Sequence, residues 1–205
     1  MGDCVLCLRN DRPMTREHVF ARWLVIRLRG GRLVPSDALV AERIGRVITS
    51  VCSECNAGWM SVLEVSFRSA MFGRPRTGVL HPQDRVILSR WFVKTAILLA
   101  HARGVTLAGA SQHGGLPIGT PDGVEVFLAR RRRPPQRLDF ALDVESEGVR
   151  SVGILVDDVV GHVAARGTLT SRHGTQLWPL RSRTLRWETL PVITSLRAAP
   201  TSERR

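Results

Sequence analysis

Apolar and polar positions alternate with three distinct rhythms along the chain, and each rhythm predicts a different element. From Asn56 to about Phe72 the apolar residues Trp59, Leu63, Phe67 and Ala70 recur at helical spacing, and Gly73 followed by Pro75 supplies a stop. A longer helix is predicted from Pro82, at its first turn, through "DRVILSRWFVKTAILLAHAR" to a cap at Gly104. It is apolar around most of its circumference, which places it in the core. "RWLVIRL", Arg22 to Leu28, predicts a short helix ended by Gly30 and Gly31, and "RVITSV" predicts a strand leading to residue 52. Residues 104–123 are rich in glycine and proline and read as a loop or junction. Beyond them "GVEVFLAR", "LDFALDV", "VGILVDDVVGHVAA" and "TQLWPL" are valine- and leucine-rich runs bounded by turn residues, so the C-terminal half is expected to be β-rich. The pattern is that of an α+β chain with an N-terminal module over residues 1–73, a helix and β-rich region over 74–196, and a disordered tail over 197–205.

Composition narrows the setting. At 205 residues the chain is one ordinary domain or two small ones. No apolar run reaches the roughly 18 residues needed to span a bilayer, and "MGDCVLCLRN" has no apolar signal segment, so a soluble cytoplasmic protein is expected. Position 6 is leucine where a myristoylation signal has Ser or Thr. The net charge is +12, carried almost wholly by arginine, with Lys94 the only lysine. A surplus of that size suits a polyanion, above all nucleic acid. A GC-rich genome explains the choice of arginine over lysine but not the surplus. The densest cluster, Arg130 to Arg133, reads as a solvated turn.

The cysteines are arranged as Cys4-x2-Cys7, 44 residues, then Cys52-x2-Cys55. A two-residue gap lets both thiolates of a tight turn face one ion, and two such turns complete the tetrahedral S4 shell that zinc favours. A closed shell leaves no place for water, so the expected zinc is structural. Disulfides are disfavoured in a cytoplasmic setting, a thioredoxin-like pair needs only one CxxC, and an iron–sulfur cluster is the remaining alternative. With zinc at the base, residues between the pairs form a pinned loop. That loop carries "TREHVFARWL", with Glu17 and His18 adjacent, and its closure brings the dipeptide near Asn56, the residue fused to the last cysteine.

A carboxylate, an imidazole and an amide oxygen at one place suit phosphodiester hydrolysis. Glu17 and the Asn56 side-chain oxygen are hard ligands for magnesium or manganese. His18 offers an imidazole, the side chain most often used to take a proton from an attacking water. The ion then stabilises the leaving oxygen and polarises the phosphorus centre. Adjacent residues on an extended segment point to opposite sides, so Glu17 faces the ion and His18 the water. At these residues, over roughly positions 4–64, the chain resembles the HNH (ββα-metal, His-Me finger) endonucleases. The shared features are two CxxC knuckles, an acid–His dipeptide between them, and "CN" entering a helix. "EHVFARWL" with "VCSECNAGWMSVLE" is similar to a bacterial subgroup with a "CN-x-x-W" helix. The resemblance implies a zinc-stapled ββα-metal module, Glu17 and Asn56 as ligands of the catalytic ion, and His18 as general base at that site. The family commonly has a middle asparagine before the second knuckle, which "RIGRVITSVC" lacks, leaving a backbone carbonyl to orient His18. Its acid is more often Asp than Glu.

Simpler roles stand beside these. Asn56 alone is a helix N-cap, Trp59 is core packing, and Glu64, about 12 Å along the helix from Asn56, is a salt-bridge partner. Arg16 and Arg22 are candidate nucleic-acid contacts. Arg90, Lys94 and His101 form one stripe that is either a phosphate contact or a polar seam on a buried helix. His81, His113, His162 and His173 show no partner pattern. The leading expectation is a metal-dependent endonuclease acting on nucleic acid, with DNA favoured over RNA. The alternatives are a zinc-finger nucleic-acid-binding protein without hydrolysis and a structural zinc domain for another protein. The C-terminal region is expected to select the substrate or a protein partner.

Overall fold

A computed structural model describes residues 3–28, 47–73, 75–109, 116–131, 138–145, 148–180, 184–194 and 196. The expected turn at Gly30 and Gly31, the end of the arginine cluster, His113 and the tail over 197–205 lie outside them.

The fold is α+β. Strand β1 (Met14–His18) pairs antiparallel with β2 (Ile48–Cys52), so that Met14 faces Cys52 and His18 faces Ile48. Between them in sequence, α1 spans Arg22–Leu28, the predicted bounds, and buries Leu24 and Leu28. From β2 the chain turns directly into one helical turn, Ser53–Cys55, then a wider π turn, Asn56–Met60, then α2 (Ser61–Phe72). The break has an identifiable cause. Gly58 leaves helical values at φ −89°, ψ −116°, a departure that glycine makes cheaply. After β3 (Val79–Leu80), the long helix α3 runs from Pro82 to His101 and buries every residue from Trp91 to Ala100. That all-round burial matches its nearly unbroken apolar sequence.

The C-terminal half forms a six-stranded sheet from β4 (Val124–Arg131), β5 (Leu138–Glu145), β6 (Gly148–Val156), β7 (Val159–Ala165), β8 (Thr175–Trp178) and β10 (Val192–Ile193). The short β9 (Leu185–Arg186) pairs instead with β3. Along the sheet the order is β10-β4-β7-β6-β5, with β8 also on β4. All pairings are antiparallel except β10 with β4. "VGILVDDVVGHVAA" is thus two strands, folded at Asp157, which takes the left-handed φ of 62° that Asp tolerates. Six consecutive residues of β4, Val124 to Ala129, are buried, so both faces of the sheet are covered there.

Helix α3 lies on one face. Gly161 on β7 sits beneath Phe92, and a Cβ there would come within 2.3 Å of the ring, so only glycine permits this approach. On its other side α3 packs against α2, with the Phe67 and Trp91 rings stacked at 3.8 Å between centroids. One buried cluster runs from Cys4 and Leu6 through Phe67 and Trp91 to Val163. The expected boundary at residue 73 therefore divides a continuous core. Arg130, expected in a solvated turn, lies on β4 and donates to Asp158 at 2.6 Å. Among the described residues no helix is long and apolar enough to cross a membrane.

Candidate metal centre and adjoining groove

The two cysteine pairs meet. The first sits in a tight turn closed by bonds from the Cys4 N–H to Arg9 O at 2.9 Å and from the Leu8 N–H to Cys4 O at 2.8 Å, with Leu8 in the left-handed region at φ 60°. The second straddles the junction of β2 and the helical turn after it. All four sulfurs lie within 4.8 Å of one another, and none is in a disulfide. Cys7 Sγ and Cys52 Sγ are 3.7 Å apart. A disulfide requires about 2.05 Å, whereas a tetrahedron with Zn–S bonds of about 2.3 Å has edges near 3.8 Å. The spacing fits a shared ion and not a covalent bond.

Backbone amides already favour thiolate here. Cys52 N–H points to Cys4 Sγ at 3.3 Å and Cys55 N–H to Cys52 Sγ at 3.4 Å. Burial pushes the Cys4 thiol up, but N–H groups of Cys52, Cys7 and Leu6 outweigh it and lower its pKa to about 7. Burial raises Cys7 and, more strongly, Cys55, whose thiols lie against the others. The half-buried Trp59 packs on the core as expected. Its indole N–H has no well-aligned hydrogen-bond partner, yet stands close enough to Cys55 to favour the thiolate.

Beside this cluster opens a groove of about 510 Å³ whose walls include Thr15, Glu17, Trp23, Asn56, Glu64 and Lys94. Alternation along β1 explains its polar lining, because Thr15 and Glu17 share one side of the strand. Glu17 and Asn56, 39 positions apart in the chain, therefore meet in one groove. His18 is exposed at the end of β1 and does not line it.

Bonding around Asn56 sets the roles of the two ends of its amide. The Thr15 hydroxyl donates its single proton to Val51 O at 3.0 Å, so toward Asn56 it can only accept. It does so from Asn56 Nδ2 at 3.2 Å. The amide nitrogen is thereby engaged, and Oδ1 is the end of the side chain that could meet a cation. The expectation that Asn56 caps the helix is corrected: Cys52 is the cap, its sulfur accepting the Cys55 N–H, and Asn56 already has αR backbone angles. The helix starts earlier because the cysteine supplies the acceptor that Asn56 would have offered.

Glu64 has the structural role expected of it. Its Oε1 accepts from Lys94 Nζ at 2.6 Å and from Trp91 Nε1 at 2.8 Å. Lys94, only 2% exposed, is spent on this pair, and half-buried Arg90 donates to Leu116 O at 2.8 Å and Pro117 O at 2.7 Å. The phosphate contacts expected of Arg90 and Lys94 thus give way to the polar-seam reading of that stripe. Arg16 and Arg22 are exposed. Sequence reasoning passed over Thr15, although strand alternation two residues before Glu17 was a usable signal, and it passed over Trp23, for which there was none. It also missed a buried pair on the far side of the sheet, His162 and His173, with ring centroids 5.9 Å apart. Compared with known protein families, curated proteins and solved structures, the chain matches none.

Proposed function

We propose that the chain is a metal-dependent endonuclease of the HNH kind, acting on nucleic acid, with DNA as the first substrate to test. The observation that carries this reading is the meeting of Glu17 with Asn56 in one groove, with Thr15 engaging the amide nitrogen of Asn56 and not its oxygen. The antiparallel β1–β2 pair running into a helix beside four converged cysteines supports it as well.

Cys4, Cys7, Cys52 and Cys55 hold a structural zinc, which supplies the staple between the N-terminal turn and the end of β2. Glu17 and Asn56 hold magnesium or manganese, which stabilises charge on the phosphodiester when bound. Glu17 contributes a charged oxygen and Asn56 a neutral one. His18, next along β1 and open to solvent, takes the proton of the attacking water at the rim of the groove. Exposed Arg16 and Arg22 add positive charge for the backbone phosphates.

The second reading is a zinc-bearing nucleic-acid-binding module without hydrolysis, and one observation favours it: His18 does not line the groove. A single assay separates the two. Plasmid, single-stranded DNA and total RNA are incubated with wild type and His18→Ala, with and without magnesium or manganese. The nuclease reading expects metal-dependent cleavage that falls by roughly 10²–10⁴-fold in His18→Ala, with zinc and nucleic-acid binding retained. Binding without cleavage under any metal selects the second reading.

A further inference from the structure

We infer that the aromatic wall of the groove is a stacking site for one unpaired nucleobase, built from Trp23 and Arg68. The inference rests on the groove being a nucleic-acid site, and it makes the substrate an unpaired nucleotide instead of an intact duplex.

The groove is chemically mixed. Its walls carry the oxygens of Glu17, Asn56 and Thr15 together with Trp23, Val65 and Arg68, and along the helical run Asn56 stands at the start and Arg68 about three turns further on. Trp23 is held from behind, its ring 6.0 Å from Phe72 in an edge contact and 6.4 Å from Phe67. It is nevertheless only half-buried and walls the groove. A rigid, half-open indole backed by two phenyl rings is a ready platform, because every base offers a π-face and stacking requires no particular sequence.

Arg68 supplies the second half. Its guanidinium carbon stands 5.5 Å over the Trp23 ring, it is exposed, and among the described residues it pairs with no carboxylate. The neighbouring cation, Lys94, is neutralised by Glu64, so among the described residues lining the groove Arg68 is the cation without a carboxylate partner. A planar cation above an indole face can swing aside and close again on a base, or pair with its phosphate. Val65, 70% exposed, extends the apolar wall.

A volume of about 510 Å³ falls within the range of sites that enclose one small ligand. A nucleotide matches both kinds of lining, its base at Trp23 and its phosphate toward Glu17 and Asn56. A base paired inside a duplex has both faces covered by its neighbours and cannot use such a site.

The test is fluorescence anisotropy of the full chain, zinc-loaded, without magnesium or manganese, so that binding is read apart from cleavage. The probes are a short labelled single strand, its duplex, and the same strand carrying abasic sites. Wild type is expected to bind the intact strand about 5–100-fold more tightly than the abasic one. Trp23→Ala should remove that preference, Trp23→Phe should retain most of it, and Arg68→Ala should weaken strand binding more than duplex binding. Equal affinity of wild type for intact and abasic strands overturns the inference, even if Trp23→Ala does not fold. So does a folded Trp23→Ala variant that keeps the preference. Base-dependent binding through Trp23 with no cleavage under any metal leaves this inference standing and removes the nuclease reading alone.

Discussion

The N-terminal hairpin and the C-terminal sheet show two ways of holding strands together. β1 and β2 are five residues each, paired across residues 19–47. Such a hairpin is too small to be stable alone, and closing a long loop costs entropy that five pairs hardly repay. The four thiols at its base carry that cost once an ion draws them together. The sheet needs no such help, since β4, β6 and β7 are seven to nine residues of mostly buried valine, leucine and alanine, with α3 on one face. The four-cysteine cluster therefore lies with the weaker strand pair, and the sheet with α3 is the self-sufficient scaffold.

Metal removal is the largest expected effect and the surest way to break that contrast. Structural zinc is worth on the order of 10 kcal/mol or more in small domains. A strong chelator should release one zinc per chain and expose the amides of β1 and β2 to hydrogen exchange, while those of β4, β6 and β7 stay protected. Iron in the metal analysis, or simultaneous loss of protection in both regions, contradicts the division.

Lys94 joins the two regions, because it sits on the core helix and binds Glu64 in the groove wall. Lys94→Met leaves a largely buried carboxylate without its cation and should cost about 3–5 kcal/mol in chemical denaturation. Adding Glu64→Gln should restore part of that stability. Single variants that are neutral would show the pair to be incidental.

The sheet has its own acid weakness. His162 is 1% exposed, both ring nitrogens lack a hydrogen-bond partner, and burial, with His173 second, lowers its pKa to about 4. Groups nearby are His173, whose Nδ1 accepts the Thr170 N–H, Glu125 on β4 and Arg172. A histidine lowered from about 6.5 binds fewer protons folded than unfolded. Its stabilisation is complete above that value and is lost as pH falls from 6.5 toward 4, on the order of 3 kcal/mol. Stability of the zinc-loaded sheet, followed by exchange of β6 and β7 amides, should fall across that window. His162→Phe should flatten the profile; an unchanged slope would assign the acid sensitivity elsewhere.

A smaller effect is expected at Thr15. Thr15→Val keeps the shape but frees the Asn56 amide to rotate, and should weaken manganese binding about tenfold, as loss of an orienting partner does elsewhere. Thr15→Ser should bind as wild type does. Equal affinity in all three would show that the hydroxyl does not orient Asn56.

Much of this was legible in the sequence where one local rule decides. The bounds of α1 agree to the residue, since Arg22–Leu28 is a compact apolar run, and α3 begins at Pro82 as its fixed φ favours. CxxC spacing sufficed to bring four thiols together. What escaped depends on partners distant in sequence. A stripe of Arg90 and Lys94 looks the same whether it meets phosphate or, as here, Glu64 and the carbonyls of Leu116 and Pro117. Asn56 looked like a cap because nothing local reveals that a cysteine sulfur takes that place. The strands were visible, but not their order, which puts β10 beside β4 and brings His162 to His173.

The central claim is that Glu17 and Asn56 hold one divalent ion in the groove, and manganese titration of zinc-loaded protein followed by electron paramagnetic resonance tests it most directly. Wild type is expected to bind one manganese per chain, displaced by magnesium, and Glu17→Ala to lose that site while keeping its zinc and its fold. Wild type that binds no manganese, or Glu17→Ala that binds it as tightly, would contradict the account.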